Sequence, residues 1–425
     1  MNALFFALVL IAFLVTAVRQ LFWIPVDGVD SPMQVLTLGM INSAEGSVTL
    51  AIGLVGVMAL FLGLMKVAEK GGLLKILARL IRPLMVWLFP EVPPDHPAMG
   101  AMILNMAANA LGLGNAATPF GIRAMKELDR LNPNPGTATN AMALFLAINT
   151  SSVTLLPTGV IAIRASAGSL DPAAILPTTL FATFCSTIVA VLAVKFYQRF
   201  FPIGEPTSKL KIQPNEENQE EIENFTGYPT WVSSLVLLAV IGFIPLTIFY
   251  GKAISPWVIP SLMILMLGFG VSRRVPVYEA FVEGAKEGFD VAIRIIPYLV
   301  AILVAVAMFR ASGAMGYLVG AIGGFTATLG MPPEALPMAL LRPLSGSGAY
   351  GLMASIIQDP AIGPDSYTGL LVSTLQGSTE TTFYVLAVYF GAVRIQRVRH
   401  ALAAALTADL AGIIAAVFIC SILFN

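Results

Sequence analysis

The chain has 425 residues, 57% of them hydrophobic and only 11% charged, and its 24 basic residues balance 24 acidic ones. A soluble globular protein carries about 25% charged residues and keeps them on its surface. The composition therefore excludes an ordinary soluble enzyme, a disordered chain and a nucleic-acid binder relying on a basic patch. It predicts an all-α integral membrane protein seated in a lipid bilayer.

Cys185 and Cys420, with His96 and His400, are too few for a disulfide framework, a thiol metal site or a histidine zinc site. No metal and no cofactor are expected. There is no Walker phosphate loop, and Ser345-Gly346-Ser347-Gly348 is not a G-x-S-x-G nucleophile elbow. Neither ATP-driven transport by this chain alone nor enzyme activity is expected.

In chain order, the apolar stretch 1–17 lacks a positive n-region, because its first cation, Arg19, follows it. It reads as a retained first transmembrane helix rather than a signal peptide. Charge-free runs long enough to span follow at 46–65, 172–194, 231–250 and 253–271. The run 131–163 starts with a loop through Asn132-Pro133-Asn134-Pro135-Gly136. The shorter run 295–309 is flanked by Arg294 and Arg310, which can snorkel to the interfaces. The runs 367–393 and 401–424 each carry one acidic residue. With the first helix, this makes about nine transmembrane helices.

Lys75, Arg79 and Arg82 fall at i, i+4 and i+7 among apolar residues, so 73–89 is expected to be an interfacial helix. Residues 201–230 hold six glutamates and two lysines without apolar periodicity, which reads as an acidic cytoplasmic linker. It divides the chain into a first half, 1–200, and a second half, 231–425. The Lys and Arg clusters all fall on the cytoplasmic side if the N-terminus is inside, a loop with Asp27, Asp30 and Glu45 is outside, and two segments do not cross. Those segments, 97–122 and 336–357, are rich in small residues and are read as re-entrant or broken hairpins. The C-terminus is then outside, in a bacterial inner membrane.

The halves also match in position. Glu45, the span after it and Glu69-Lys70-Gly71 lie over Glu287, its span and Ala311-Ser312-Gly313. Asn105 to Asn109, with Gly112 and Gly114, lies over Arg342 to Gly346, with Ala349 and Gly351. Asn149 to Thr154 lies over Gln376 to Thr381. The expected topology runs the first span opposite to its partner, giving two inverted-topology repeats with a ligand site where they meet.

Polar residues inside spans are costly and mark function. In the second half Gln376, Ser378, Thr379, Glu380, Thr381 and Thr382 interrupt an apolar stretch. Glu380 is read as the carrier of a coupling proton or cation, facing the bundle interior, or as the partner of Arg342. In the first half Asn149, Thr150, Ser151, Ser152 and Thr154 offer an amide and hydroxyls, although hydroxyls also bond back to their own helix. The hairpins add Asn105, Asn109 and Asn115, and Arg342, Ser345 and Ser347. All but Glu380 are candidate substrate-binding residues. Asp290 and Asp409 are read as interfacial or paired and are set aside.

The segment from Asn105 to Pro119, NMAANALGLGNAATP, resembles the signature of spore maturation protein A. Gly363-Pro364-Asp365-Ser366-Tyr367, the run from Gln376 to Val385 and Arg399-His400-Ala401 resemble spore maturation protein B. Each half is similar to the nucleoside-recognition, or Gate, domain, which also occurs in concentrative nucleoside transporters and ferrous-iron transporters. The resemblance implies a transport-like membrane protein and suggests nucleosides and aromatic carboxylates as solute classes. The expected function is therefore a secondary transporter or channel for a small polar or anionic solute, coupled to H⁺ or Na⁺. The alternative is a non-transporting membrane scaffold that recruits partners through its linker. No nucleic-acid partner is expected, and a homo-oligomer is left open.

Overall fold

A computed structural model describes residues 2–112, 117–151, 153–202, 227–328 and 330–424. Among these, regular structure is helical, apart from one isolated bridge between Thr137 and Arg397. The first half contains α1 (Asn2–Leu21), α2 (Pro32–Lys70), α3 (Leu73–Leu88), α4 (Pro97–Ala110), α5 (Thr118–Arg130), α6 (Asn140–Thr150), α7 (Thr158–Ser166) and α8 (Leu176–Tyr197). The second contains α9 (Thr230–Ser272), α10 (Val277–Ala311), α11 (Ala314–Thr328), α12 (Leu336–Leu341), α13 (Gly346–Gln358), α14 (Tyr367–Ser378), α15 (Thr382–Ala392) and α16 (Ala401–Phe424). The order of long helix, hairpin, broken helix and closing helix is the same in both.

The helix starts follow local chemistry. Ser31 and Gln34 form a reciprocal capping box on α2, with Pro32 at the first helical position. The Thr139 hydroxyl accepts from Met142 N–H at 3.1 Å to start α6, and the Ser366 hydroxyl accepts from Gly369 N–H at 3.0 Å to start α14.

Helices α2, α8 and α16 are long and apolar enough to cross a membrane. On α16 the outward stripe Leu406, Leu410, Ile414, Phe418 and Ile422 recurs every fourth residue, and Ile188, Leu192 and Phe196 do the same on α8. Exposed apolar stripes of this length are tolerated where lipid covers them. The chain is a multi-pass membrane protein.

One expected boundary shifts. Glu45 lies inside α2 rather than in a loop, because the capping box starts the helix at Pro32 and no breaker intervenes. The runs 231–250 and 253–271 fall within one helical run, α9. Its start and end both reach the α2–α3 corner: Tyr228 N–H donates to Arg79 O, and Gly270 packs on Val67. A straight helix of this length would extend about 64 Å, so α9 curves back on itself.

Helices α2 and α10 pack antiparallel. On α2 and α10, Gly39 lies near Ala311 and Gly63 near Phe281. Gly63, Gly284 and Gly288 let the two backbones approach closely, as small residues do in membrane helix pairs. A Cβ on Gly288 would stand 2.7 Å from Ala59 Cα and 2.8 Å from Ala59 N, which are backbone atoms that cannot rotate away. Gly288→Ala is therefore expected to destabilise by about 1–3 kcal/mol, read as a lower melting temperature in detergent; an exposed-face control such as Lys286→Ala should change little.

Loops tie the halves together at two ends of the bundle. At one end Arg164 of α7 reaches the 363–366 loop of the second half. At the other, Gln396 and Arg397 N–H groups donate to Gly136 O, Ala138 N–H donates to Arg397 O, and Arg399 Nη1 donates to Ala138 O at 2.8 Å. His400 lies buried in this second tie, with no hydrogen-bond partner for either ring nitrogen among the described residues. Burial, with Arg399 beside it, pushes its pKa down to about 4. The folded chain thus prefers neutral His400, and this stability is complete above the ordinary pKa of about 6.5 and lost as pH falls toward 4. Melting temperature should decline between about pH 6.5 and pH 4, and His400→Phe should flatten that decline.

Candidate functional site at two helix breaks

Both polar runs interrupt helices. After Thr150 the chain leaves helical geometry until Thr158, and after Ser378 it is extended through Thr379 and Thr381 before α15 begins. The two breaks touch: Glu380 N–H donates to Thr150 O at 2.7 Å. Each is also held by the hairpin of its own half. Leu155 N–H donates to Ala110 O at 3.0 Å in the first half, and Phe383 N–H to Pro343 O at 3.1 Å in the second. Gly112, at φ +72°, lies so close to Leu156 O that a Cβ would stand 2.2 Å from it. Only glycine fits there.

The first-half site is built from neutral amides. Asn109 Nδ2 donates to Asn149 Oδ1 at 2.9 Å, Asn149 Nδ2 donates to Phe145 O, and Asn105 Nδ2 donates to Ala117 O at 2.8 Å and to the Tyr389 phenol at 3.2 Å. Tyr389 from the second half also donates to Asn149 Oδ1 at 3.3 Å. Thr150 and Ser151 hydroxyls bond back to Ala147 O, and Thr187 of α8 donates to Ser151 O. Thr154 is half-buried within the break. Asn115 and Ser152 lie outside the described residues.

The second-half site carries charge. Arg342, buried at the end of α12, donates from Nε to Gln376 O at 3.1 Å, from Nη1 to Thr381 Oγ1 at 3.0 Å and from Nη2 to Thr379 O. The same Nη2 lies 3.6 Å from Glu380 Oε2. Gln376 O and Thr379 O are carbonyls that a helix terminus leaves without partners, so the guanidinium closes the broken end of α14. Ser378 bonds back to Leu375 O. Ser345 caps α13 by accepting from Gly348 N–H at 3.0 Å, which accounts for the Ser-Gly-Ser-Gly run, and Ser347 lies half-buried in the first turn. Gln376 is buried, with the Tyr350 phenol beside it, and neither end of its amide makes a well-formed hydrogen bond among the described residues.

Two acidic residues complete this half. Glu380 stands in the extended break with its side chain 50% exposed beside Arg342. Asp409, set aside as interfacial or paired, is buried in the middle of α16 and accepts from Thr382 Oγ1 at 2.6 Å through Oδ2. A single acid in the last apolar span was the available signal. The partnership of Tyr389 with the first-half amides had none.

Two open cavities flank these elements. One, of about 600 Å³, is lined by Asn42, Glu45 and Thr49 of α2 with Ser166 and Gln358. The other, of about 580 Å³, is lined by Arg123, Lys126 and Glu127 of α5 with Thr118 and Tyr384. Among the described residues no three His, Cys, Asp or Glu side chains are grouped to hold a metal ion.

Paired broken helices, each braced by a helical hairpin within a membrane bundle, define the class of this protein. Residues 51–199 and 292–396 match the model of the Gate family, described as nucleoside recognition, and the chain belongs to that family. It is 46% identical to spore maturation protein B of Bacillus subtilis (strain 168) over 167 residues, 39% of this chain and 93% of that protein. It is 44% identical to spore maturation protein A of the same organism over 168 residues, 40% of this chain and 86% of that protein. Among solved structures, the YdaH transporter of Alcanivorax borkumensis aligns over 98% of this chain and 97% of its own, with 16% identity and a TM-score of 0.37.

Proposed function

We propose that this chain is a secondary transporter or channel for a small polar or anionic solute, nucleoside-like or an aromatic carboxylate, working by alternating access around the two breaks. The observation that carries the reading is the meeting of two polar helix breaks, one from each half, through Glu380 N–H and Thr150 O. Interrupted helices place backbone groups and half-helix termini where a solute can use them, and such backbone is tolerated at membrane depth only inside protein or against water. The description of the family as nucleoside recognition supports the solute class.

In this reading the halves, 1–200 and 231–425, are inverted repeats joined by the 201–230 linker. The repeated element order and the antiparallel packing of α2 on α10 support the inversion. About nine spans would place the N-terminus and linker in the cytoplasm and the C-terminus outside a bacterial inner membrane. The hairpins α4–α5 and α12–α13 would be re-entrant. Asn105, Asn109, Asn149 and the break hydroxyls would bind the neutral part of the solute. Arg342 and the N-termini of α7 and α15 would favour its negative end. Glu380, beside Arg342, would couple this binding to H⁺ or Na⁺. No chemical conversion of the solute is proposed.

Ligand-dependent melting of the purified chain tests it, with nucleosides, pyridine carboxylates and other small metabolites, with and without Na⁺. A ligand at 100 times its dissociation constant adds about 2.7 kcal/mol of stability. Hits should be taken up by proteoliposomes and weakened by Asn149→Ala. A stable, monodisperse protein that neither responds to nor moves any of these solutes would overturn the reading.

A further inference from the structure

The charges at the second-half break do not balance. One guanidinium, Arg342, stands among two carboxylates, Glu380 at 3.6 Å and Asp409 beyond Thr382. Glu380 is half-exposed and has Arg342 beside it. Asp409 has neither: it is 2% exposed, and its Oδ1 has no hydrogen-bond partner among the described residues. A buried carboxylate held by one hydroxyl is expensive to keep charged.

The elements packed against Asp409 offer little compensation. On α8, Ser186 donates to Ala408 O instead, the Tyr197 phenol pairs with Thr407 Oγ1, and Lys195 lies over the Trp87 ring. Helix α6 has no titratable residue, and the only one on α14, Tyr367, donates to Gly330 O. On α15, Tyr384 is exposed and Tyr389 is bonded to the first-half amides. Among the described residues Arg342 is the one cation near Asp409 and Glu380, and its donors already serve Gln376 O, Thr379 O and Thr381 Oγ1.

We infer that Asp409, in place of Glu380, is the binding site of an exchangeable proton, which is the coupling ion of the transport proposed above. A sodium ion would need five or six oxygens around it. Here the nearby carbonyls are taken by Arg342, and the Thr382 hydroxyl points its hydrogen at Asp409. A proton needs only Oδ1. Loss of that proton would leave a buried negative charge with Arg342 as its attractive neighbour. Arg342 would then be drawn from Glu380 and the α14 carbonyls toward Asp409, which links the protonation state to the closure of the break. Glu380 acts as the exposed counter-ion that exchanges with Asp409.

The inference rests on the transport reading, but its first test does not. Infrared difference spectra of the full chain in proteoliposomes are recorded while pH is stepped between about 9 and about 5. The expected result is a protonated-carboxyl C=O signal that survives Glu380→Gln and disappears in Asp409→Asn, a near-isosteric change. If Asp409→Asn does not fold, Thr382→Val should shift the pH at which the signal titrates, while Glu380→Gln should not remove it. A signal unchanged in both Asp409→Asn and Thr382→Val would overturn the inference, as would one that responds to Na⁺ at fixed pH. With a solute in hand, Asp409→Asn should lose accumulation driven by a pH gradient while keeping solute exchange. A normal gradient-driven uptake in that variant would also overturn it. A silent solute screen with a positive infrared result would sink the transport reading alone.

Discussion

Arg342→Met is expected to lower stability by about 3–5 kcal/mol, the loss typical when one partner of a buried charged network is removed. Three acceptors lose their donor at once: Gln376 O, Thr379 O and Thr381 Oγ1. Two of them are carbonyls that the helix break has already deprived of intrahelical partners, and the surrounding residues are buried. Methionine fills much of the volume but donates nothing. Arg342→Lys should recover only part of the loss, because a compact ammonium cannot span a planar fork's three acceptors. Glu380→Gln should cost less than about 1 kcal/mol, since its half-exposed side chain makes a solvent-screened pair. Thermal melting in detergent of the three variants checks this order. An Arg342→Met protein as stable as Glu380→Gln would show that the break closes without the guanidinium.

A second large effect is expected at Arg164, which is fully buried at the opposite tie between the halves. Its donors go to Pro364 O at 2.6 Å, Asp365 Oδ1 at 2.9 Å, Ser169 Oγ at 3.0 Å and Asp171 O at 3.1 Å, with longer contacts to Pro172 O and Ser373 Oγ. Asp365 in turn accepts from the Ser169 hydroxyl and from Leu170 N–H at 2.8 Å. Arg164→Met therefore frees two loops together and is expected to cost about 3–5 kcal/mol. Asp365→Ala leaves the guanidinium with its carbonyl acceptors but without a counter-charge, and should be nearly as harmful. The double variant should lose about 1–3 kcal/mol less than the sum of the two, as residues in one network do. Additive losses would mean that the carboxylate and guanidinium act separately. Because this tie joins a loop of each half, its loss should also raise proteolytic cleavage around 167–172 and 363–366.

Much of the site was legible in the sequence, since a polar run inside an apolar stretch is costly in lipid and persists only where protein shields it or function uses it. The runs 149–154 and 376–382 were found that way, and both are helix breaks. The pairing of Arg342 with Glu380 was also readable from their charges and placement. The roles of the hydroxyls were not, because Thr150, Ser151 and Ser378 can satisfy their own helix as readily as a ligand, and they do. Nothing in the local pattern distinguished the Ser345 cap from a binding serine. Which way Glu380 points was not legible, because an extended break does not follow helical periodicity. Asp409 was passed over because one acid in a span carries no information about which side of the helix it faces.

By itself the sequence determined the membrane class, the helical content and the positions of the two interruptions. These depend on composition and on neighbours a few residues apart. Only the tertiary structure decided that the two breaks meet, that Tyr389 completes the amide cluster of the other half, and that Asp409 stands behind Thr382 with one oxygen unpartnered. It also decided that Gly288 has no room for a methyl group and that Arg164 clasps a loop 200 positions away. Such facts arise from packing between distant segments, and side-chain partners in a low-dielectric interior are chosen by that packing rather than by sequence neighbourhood.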